Sequence, residues 1–165
     1  LGAQALNEAL PKALAQMPEN ERPQVIHQTG KKHFDAVQRL YADAGVQADI
    51  RPFLDDMALQ YAQADVVICR AGALTVAELA VAGVASVLVP FPHAVDDHQT
   101  HNARFLSERG AAILLPQTEL DGERLAALLR GMARSELLKM AQAARALAKP
   151  DATAQVVKVC EGLAT

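Results

Sequence analysis

The sequence predicts an α/β domain built on a parallel sheet with helices on both faces, and three observations predict it. Short apolar runs alternate with stretches whose apolar residues recur every three or four positions, the succession of a βαβ chain. In residues 66–69 and 86–89 the apolar residues run continuously instead of alternating, as in parallel strands covered on both faces. Ala, Val and Leu abound against four Phe, two Tyr and no Trp, which suits close packing of helices on a sheet.

Residues 65–92 carry the densest signal. They read as strand, glycine-containing turn, helix, second strand and proline stop, one βαβ unit with an opening at its turn. From Leu74 to Ala82 every residue is apolar except Thr75 and Glu78, so this reads as a helix without a solvent face. Those two residues are three apart and share one side near the helix N-terminus. A carboxylate there either complements the helix dipole or is aimed at the hydroxyls of a ligand docked over the helix end.

The remaining elements follow in order. The opening LGAQALNEALPKALAQM is helical with no strand in front of it, and a βαβ succession implies a strand and part of its loop before Leu1. Pro11 either kinks this helix or begins a second short turn. Residues 23–29 form a strand, and a helix over 32–44 stops at Gly45. His27, Gln28, Thr29 and Gly30 then lie at a strand's C-terminal end, where open parallel sheets bind ligands, although a polar loop that only turns the chain has the same composition. Residues 48–53 give a third strand. A short helix over 55–64 is capped by Asp55 or Asp56, and the Phe53–Leu54 turn before it could lay backbone groups against a planar base. Residues 93–110 pass from a His- and Asp-rich loop into a helix, and residues 111–115 form the next strand. Helical patterns over 121–132, 135–147 and 152–163 have the spacing of surface helices covering a sheet. No repeat or linker interrupts residues 1–165, a single domain.

Composition excludes several function classes. Sixteen Lys and Arg against 19 Asp and Glu, a net charge of −3 without blocks of one sign, leave no footprint for nucleic acid. Cys69 and Cys160 lack metal-ligand or disulfide spacing and fit a reducing cytoplasm. No apolar run approaches the roughly 20 residues that span a bilayer. His93, Asp97, His98 and His101 include metal-ligand types, but no matching cluster occurs elsewhere, and a loop reading sugar hydroxyls uses the same inventory. The expectation is no metal and no cofactor.

A diphosphate is the economical ligand for the central turn. Arg70, Gly72, Ala73, Leu74 and Thr75 place small residues and free amide donors at a helix N-terminus. Glu78, one turn further in, could accept hydrogen bonds from a ribose diol. The base would lie toward Phe53 and Leu54, and the group on the distal phosphate toward residues 97–102, including His98, Gln99 and Asn102. That is a nucleotide-sugar layout, and the G-x-G-x-x-G of a dinucleotide site is absent from these residues.

The motifs HQTGK, FLDDM, ADVVICRAGALTVAEL and VPFPHAVDDHQTHNA, in that order and spacing, resemble the C-terminal half of the MurG family of bacterial undecaprenyl-diphospho-muramoylpentapeptide N-acetylglucosaminyltransferases. The resemblance covers essentially all 165 residues. It implies a Rossmann-like sheet, one half of a two-domain GT-B glycosyltransferase. This half would hold UDP-N-acetylglucosamine, while an absent N-terminal domain binds the lipid-linked muramoyl-pentapeptide at the cytoplasmic face of the bacterial inner membrane. By the same resemblance Leu54 reads uracil through its backbone with Met57 nearby, and Ala73, Leu74 and Thr75 hold the phosphates. Glu78 takes the ribose hydroxyls, and His98 and Gln99 face the N-acetylglucosamine ring. Some members carry a Gln pair where this chain reads His98-Gln99, and the family's Gly-Gly-Ser loop falls before Leu1. The implied reaction inverts the anomeric carbon. Its general base is expected in the absent domain, and the isolated domain is expected to be inactive. A UDP-N-acetylglucosamine epimerase and a noncatalytic donor-binding subunit needing a partner chain are the rival readings.

Overall fold

The computed structural model of the protein describes residues 3–163. Helix α1 (Gln4–Ala15) leads into β1 (Ile26–Gln28), α2 (Phe34–Asp43), β2 (Asp49–Arg51), α3 (Met57–Gln63) and β3 (Val66–Cys69). Then come α4 (Ala73–Ala82), β4 (Ala85–Leu88), α5 (His98–Ser107) and β5 (Ile113–Leu114). Three helices close the described chain: α6 (Gly122–Gly131), α7 (Arg134–Ala146) and α8 (Ala152–Leu163). β3 and β4 have the length of the apolar runs that announce them, whereas β1, β2 and β5 are shorter than theirs.

Every strand pair is parallel, and helices lie on both faces, as the sequence predicts. The hydrogen bonds divide the strands into two blocks, β1–β2 and β3–β4–β5. Strand β4 is sealed from water along its length, and its successive side chains enter opposite layers. Leu88 packs with Val76, Leu79 and Leu106 of α4 and α5. Val87 joins a cluster reached by Leu6 of α1 and Leu128 of α6. β3, expected to be covered on both faces, is only half-buried because it is the outer strand of its block.

Helix α1 resolves the ambiguity at Pro11 by running unbroken through it, with the ring buried. On its neighbour α6, Gly122 permits close approach, since a Cβ there would lie 2.9 Å from the Lys12 Cβ. Gly45 and Gly83 end α2 and α4 with φ of 63° and 67°, left-handed stops that a glycine takes without strain.

Two further expectations need correction. Helix α4 has a solvent face: Leu74 is 80% exposed and Val81 41%, because α3 and α5 flank the helix without covering its outer side. Helix α8 covers no sheet; none of its residues is buried, and Val156, Val159 and Leu163 are each more than half exposed. Apolar spacing identifies an amphipathic helix but not the surface it packs on.

Candidate functional site

The loops that leave β2, β3 and β4 open on the same end of the molecule, the C-terminal ends of the parallel strands. After β3 the chain turns through Arg70 and Ala71 to Gly72, whose extended backbone (φ −63°, ψ 146°) forms the N-cap of α4. The first intrahelical bond runs from the Val76 N–H to the Gly72 carbonyl. The amides of Ala73, Leu74 and Thr75 therefore point out of the helix end without helical acceptors, a seat for an anion.

One turn into α4, Glu78 is exposed, and its Oε2 accepts a hydrogen bond of 3.0 Å from the hydroxyl of Tyr61 on α3. Between these two helices lies a mainly apolar groove of about 540 Å³, bounded by Met57, Tyr61, Leu74, Ala77, Glu78 and Val81. At the entrance to α3, Asp56 caps the helix by accepting from the Leu59 N–H at 3.0 Å. Phe53 stands 58% exposed beside the buried Leu54.

The loop after β4 is anchored at its far end by α5. Asp96 and Asp97 both take left-handed φ values near 50°, 51° and 50°, unusual outside glycine and typical of strained loops at functional sites. The Asp97 carboxylate accepts from the Thr100 hydroxyl (2.6 Å), and its carbonyl accepts from His101 Nδ1–H (3.1 Å). Gln99 Oε1 accepts from the Phe91 N–H at 3.0 Å, and Asn102 Nδ2 donates to the Ala71 carbonyl at 3.0 Å. The first turn of α5 thus ties the loop after β4 to the turn that precedes α4.

The sequence of this site matches a known domain. The model of the glycosyltransferase family 28 C-terminal domain covers residues 1–156. The chain belongs to this family.

Its relatives agree. A UDP-N-acetylglucosamine--N-acetylmuramyl-(pentapeptide) pyrophosphoryl-undecaprenol N-acetylglucosamine transferase of Azoarcus sp. (strain BH72) is 65% identical over 99% of this chain and 46% of its own length. A protein of the same name from Cupriavidus metallidurans is 59% identical over 99% of this chain and 46% of its length. The crystal structure of Acinetobacter baumannii MurG superposes with a TM-score of 0.89 at 49% identity, covering 98% of this chain and 47% of that one. A glycosyltransferase of kitacinnamycin shares the fold alone, at 19% identity and a TM-score of 0.58 over 90% of this chain and 37% of that one. The resemblance read from the four motifs is borne out, and the fold is one domain of a GT-B glycosyltransferase. The chain spans about half the length of the curated relatives it matches.

Within this family 28 domain the structure brings Met57, Leu74 and Glu78 onto one groove, with the α4 amide end and Gln99 on neighbouring loops. Arg70 is engaged by the loop after β4. Its Nη1 donates to the carbonyls of Val89 and Pro90 (both 3.1 Å), its Nη2 to Gln117 Oε1 (2.5 Å), and the guanidinium lies 5.4 Å from the Phe91 ring centre. It braces the backbone after β4. Asn102 and Gln99 likewise each have one polar end engaged by the protein, and the His98 residue beside them is exposed.

Residues 27–29 divide between the core and the turn before α3. His27 is buried: Tyr41 O–H donates to Nδ1 at 2.9 Å, and Nε2 lies 3.0 Å from Asn7 Oδ1. Asn7 Nδ2 donates to the Thr29 carbonyl, so its oxygen faces the ring and His27 carries its proton on Nε2. Burial holds the His27 pKa below its usual value. Thr29 is also buried, its hydroxyl donating to the carbonyls of Gly30 and Arg51. Gln28 instead reaches the turn before α3, where its Oε1 accepts from the Leu54 N–H at 2.9 Å. Sequence reading missed this pairing and the Tyr61–Glu78 pair. Their signals were a Gln in the HQTG stretch and a Tyr four residues after Met57 on one helix face.

Proposed function

We propose that this domain is the donor-binding half of an inverting N-acetylglucosaminyltransferase that transfers the sugar from UDP-N-acetylglucosamine to a lipid-linked muramoyl-pentapeptide. The observation that carries the reading is the pairing of an open helix N-terminus at Ala73–Thr75 with a carboxylate one turn away, at the mouth of the groove between α3 and α4. The names of the relatives support the same substrates.

In this reading the diphosphate sits on the amides of Ala73, Leu74 and Thr75, and the ribose diol on Glu78. The uracil lies against Leu54 and Met57, and the N-acetylglucosamine faces His98 and Gln99. As transfer proceeds, the bond from the anomeric carbon to the β-phosphate oxygen breaks and a bond to the acceptor oxygen forms on the opposite face. The negative charge gathering on UDP is met by preorganised helix-end dipoles. The acceptor's proton passes to a base outside these residues, so the domain by itself does not turn over. Arg70 serves by holding the Val89–Pro90 backbone beside this seat.

The acceptor, and contact with the cytoplasmic face of the membrane, belong to the other half of the protein. No helix among the described residues is long and apolar enough to cross a bilayer. A strand ahead of α1 fits the same scheme. α1 touches both strand blocks, Leu6 packing with Val66, Ile68 and Val87, and Asn7 bonding His27 and the Thr29 carbonyl. A parallel strand entering between β1 and β3 would join them, and a chain extended to include it is expected to melt higher in calorimetry.

Calorimetric titration tests the donor reading. UDP and UDP-N-acetylglucosamine are expected to bind competitively and ADP-glucose to bind far more weakly. Equal affinity for the two nucleotide classes would refute it.

A further inference from the structure

We propose that Tyr61 is the positioning residue for donor recognition, holding the Glu78 carboxylate in the orientation that reads the ribose; the inference rests on the donor-site reading above. Glu78 stands on the exposed side of α4, where a long side chain samples several rotamers, and freezing it at the moment of binding costs affinity. Among the described residues the Tyr61 hydroxyl is the hydrogen-bond partner of this carboxylate.

The partner is rigid. Tyr61 is buried in the same apolar cluster as Ala71, Val76 and Leu79, so its ring is fixed by the core beneath the groove while its hydroxyl emerges at the groove wall. Packing alone would be served as well by Phe. The hydroxyl takes one acceptor site on Oε2 and leaves Oε1 and the remaining lone pairs to accept from two hydroxyls of a ribose in the groove that Glu78 lines. Burial, followed by the bond to Glu78, pushes the phenol pKa well above its usual value. Tyr61 therefore keeps its proton and remains a donor to the Glu78 carboxylate.

The consequence is specificity as well as affinity. A fixed carboxylate discriminates a vicinal diol from a single hydroxyl better than a mobile one, because a mobile carboxylate re-aims at whatever donor remains.

The test is calorimetric titration of the full-length protein with UDP and with 2′-deoxy-UDP, comparing wild type, Tyr61→Phe and Glu78→Ala. Tyr61→Phe keeps the ring and its packing. It is expected to weaken UDP roughly three- to tenfold, the scale of one hydrogen bond, and to weaken 2′-deoxy-UDP less, so that the preference for the ribonucleotide shrinks. Glu78→Ala is expected to remove most of that preference. If Glu78→Ala weakens UDP while Tyr61→Phe leaves both affinities and their ratio at wild type, Tyr61 is merely structural and the proposal falls while the donor site stands. If Glu78→Ala leaves UDP binding unchanged, the ribose reading falls and takes the proposal with it. A melting curve on each variant separates loss of fold from loss of contact.

Discussion

Removing the Glu78 carboxylate should affect affinity and stability through different atoms, which makes the two effects separable. In the free protein Glu78 accepts one hydrogen bond, from Tyr61 at 3.0 Å, and the rest of the carboxylate faces solvent. Glu78→Ala deprives the bound ribose of a charged acceptor, and stranding such partners costs ~1–3 kcal/mol. UDP should then bind about 5- to 150-fold more weakly by calorimetry. The same change leaves the Tyr61 hydroxyl, on a buried ring, without its acceptor. That costs about 0.5–1.5 kcal/mol of folding stability, offset by a few tenths from the better helix propensity of Ala. For a domain of this size each kcal/mol shifts Tm by roughly 2–4 °C. The double variant Tyr61→Phe/Glu78→Ala removes the stranded donor as well, so it should melt above Glu78→Ala alone while binding UDP no better. A double variant that melts no higher than the single one would show that the hydroxyl is satisfied by water and that the pair holds no coupling energy.

Three further outcomes follow from other contacts. Asn102→Ala cuts the 3.0 Å tie from α5 to the Ala71 carbonyl, and should weaken UDP-N-acetylglucosamine by about 1 kcal/mol while changing UDP little, read as a fall in the ratio of the two affinities. Gln28→Ala frees the Leu54 N–H that Gln28 Oε1 now occupies, so UDP should bind up to about fivefold tighter; weaker binding would show instead that the Gln28 carboxamide contacts the base. His27 is held neutral by burial, its folded pKa lying below the unfolded 6.5. The unfolded chain therefore takes up a proton first, so the stability from this group is complete above pH 6.5 and is lost as pH falls below it toward the folded value. Urea melts of wild type against His27→Gln should show the shallower acid dependence in the variant.

Much of the candidate site's geometry was legible because its parts are local. The open helix end proposed to seat the diphosphate depends on a strand, a turn of small residues and a helix start, all within residues 66–75, and the structure puts the N-cap at Gly72. The two-faced strand was legible from one apolar run, and β4 is buried throughout. Asp56 was one of two expected caps and accepts from Leu59. The failures have a common form. The place of Arg70 beside the turn did not show where its long side chain goes, and it reaches the carbonyls of Val89 and Pro90 and the Gln117 carboxamide. The apolar residues of α4 and α8 looked buried by composition, and the neighbours needed to cover them are not present among the described residues.

The sequence by itself determined the class of fold, the order of its elements, the open N-terminal end of α4 and the family to which the chain belongs. These are written in residues a few positions apart, where backbone geometry and periodicity act directly. Only the tertiary structure decided that Tyr61 holds Glu78 across 17 residues, that Gln28 occupies the Leu54 amide across 26, and that Arg70 turns to Gln117 across 47. It also decided that the strands form two hydrogen-bonded blocks. Such pairings depend on which helix faces which and on how far each side chain reaches, and those distances are set when the layers pack.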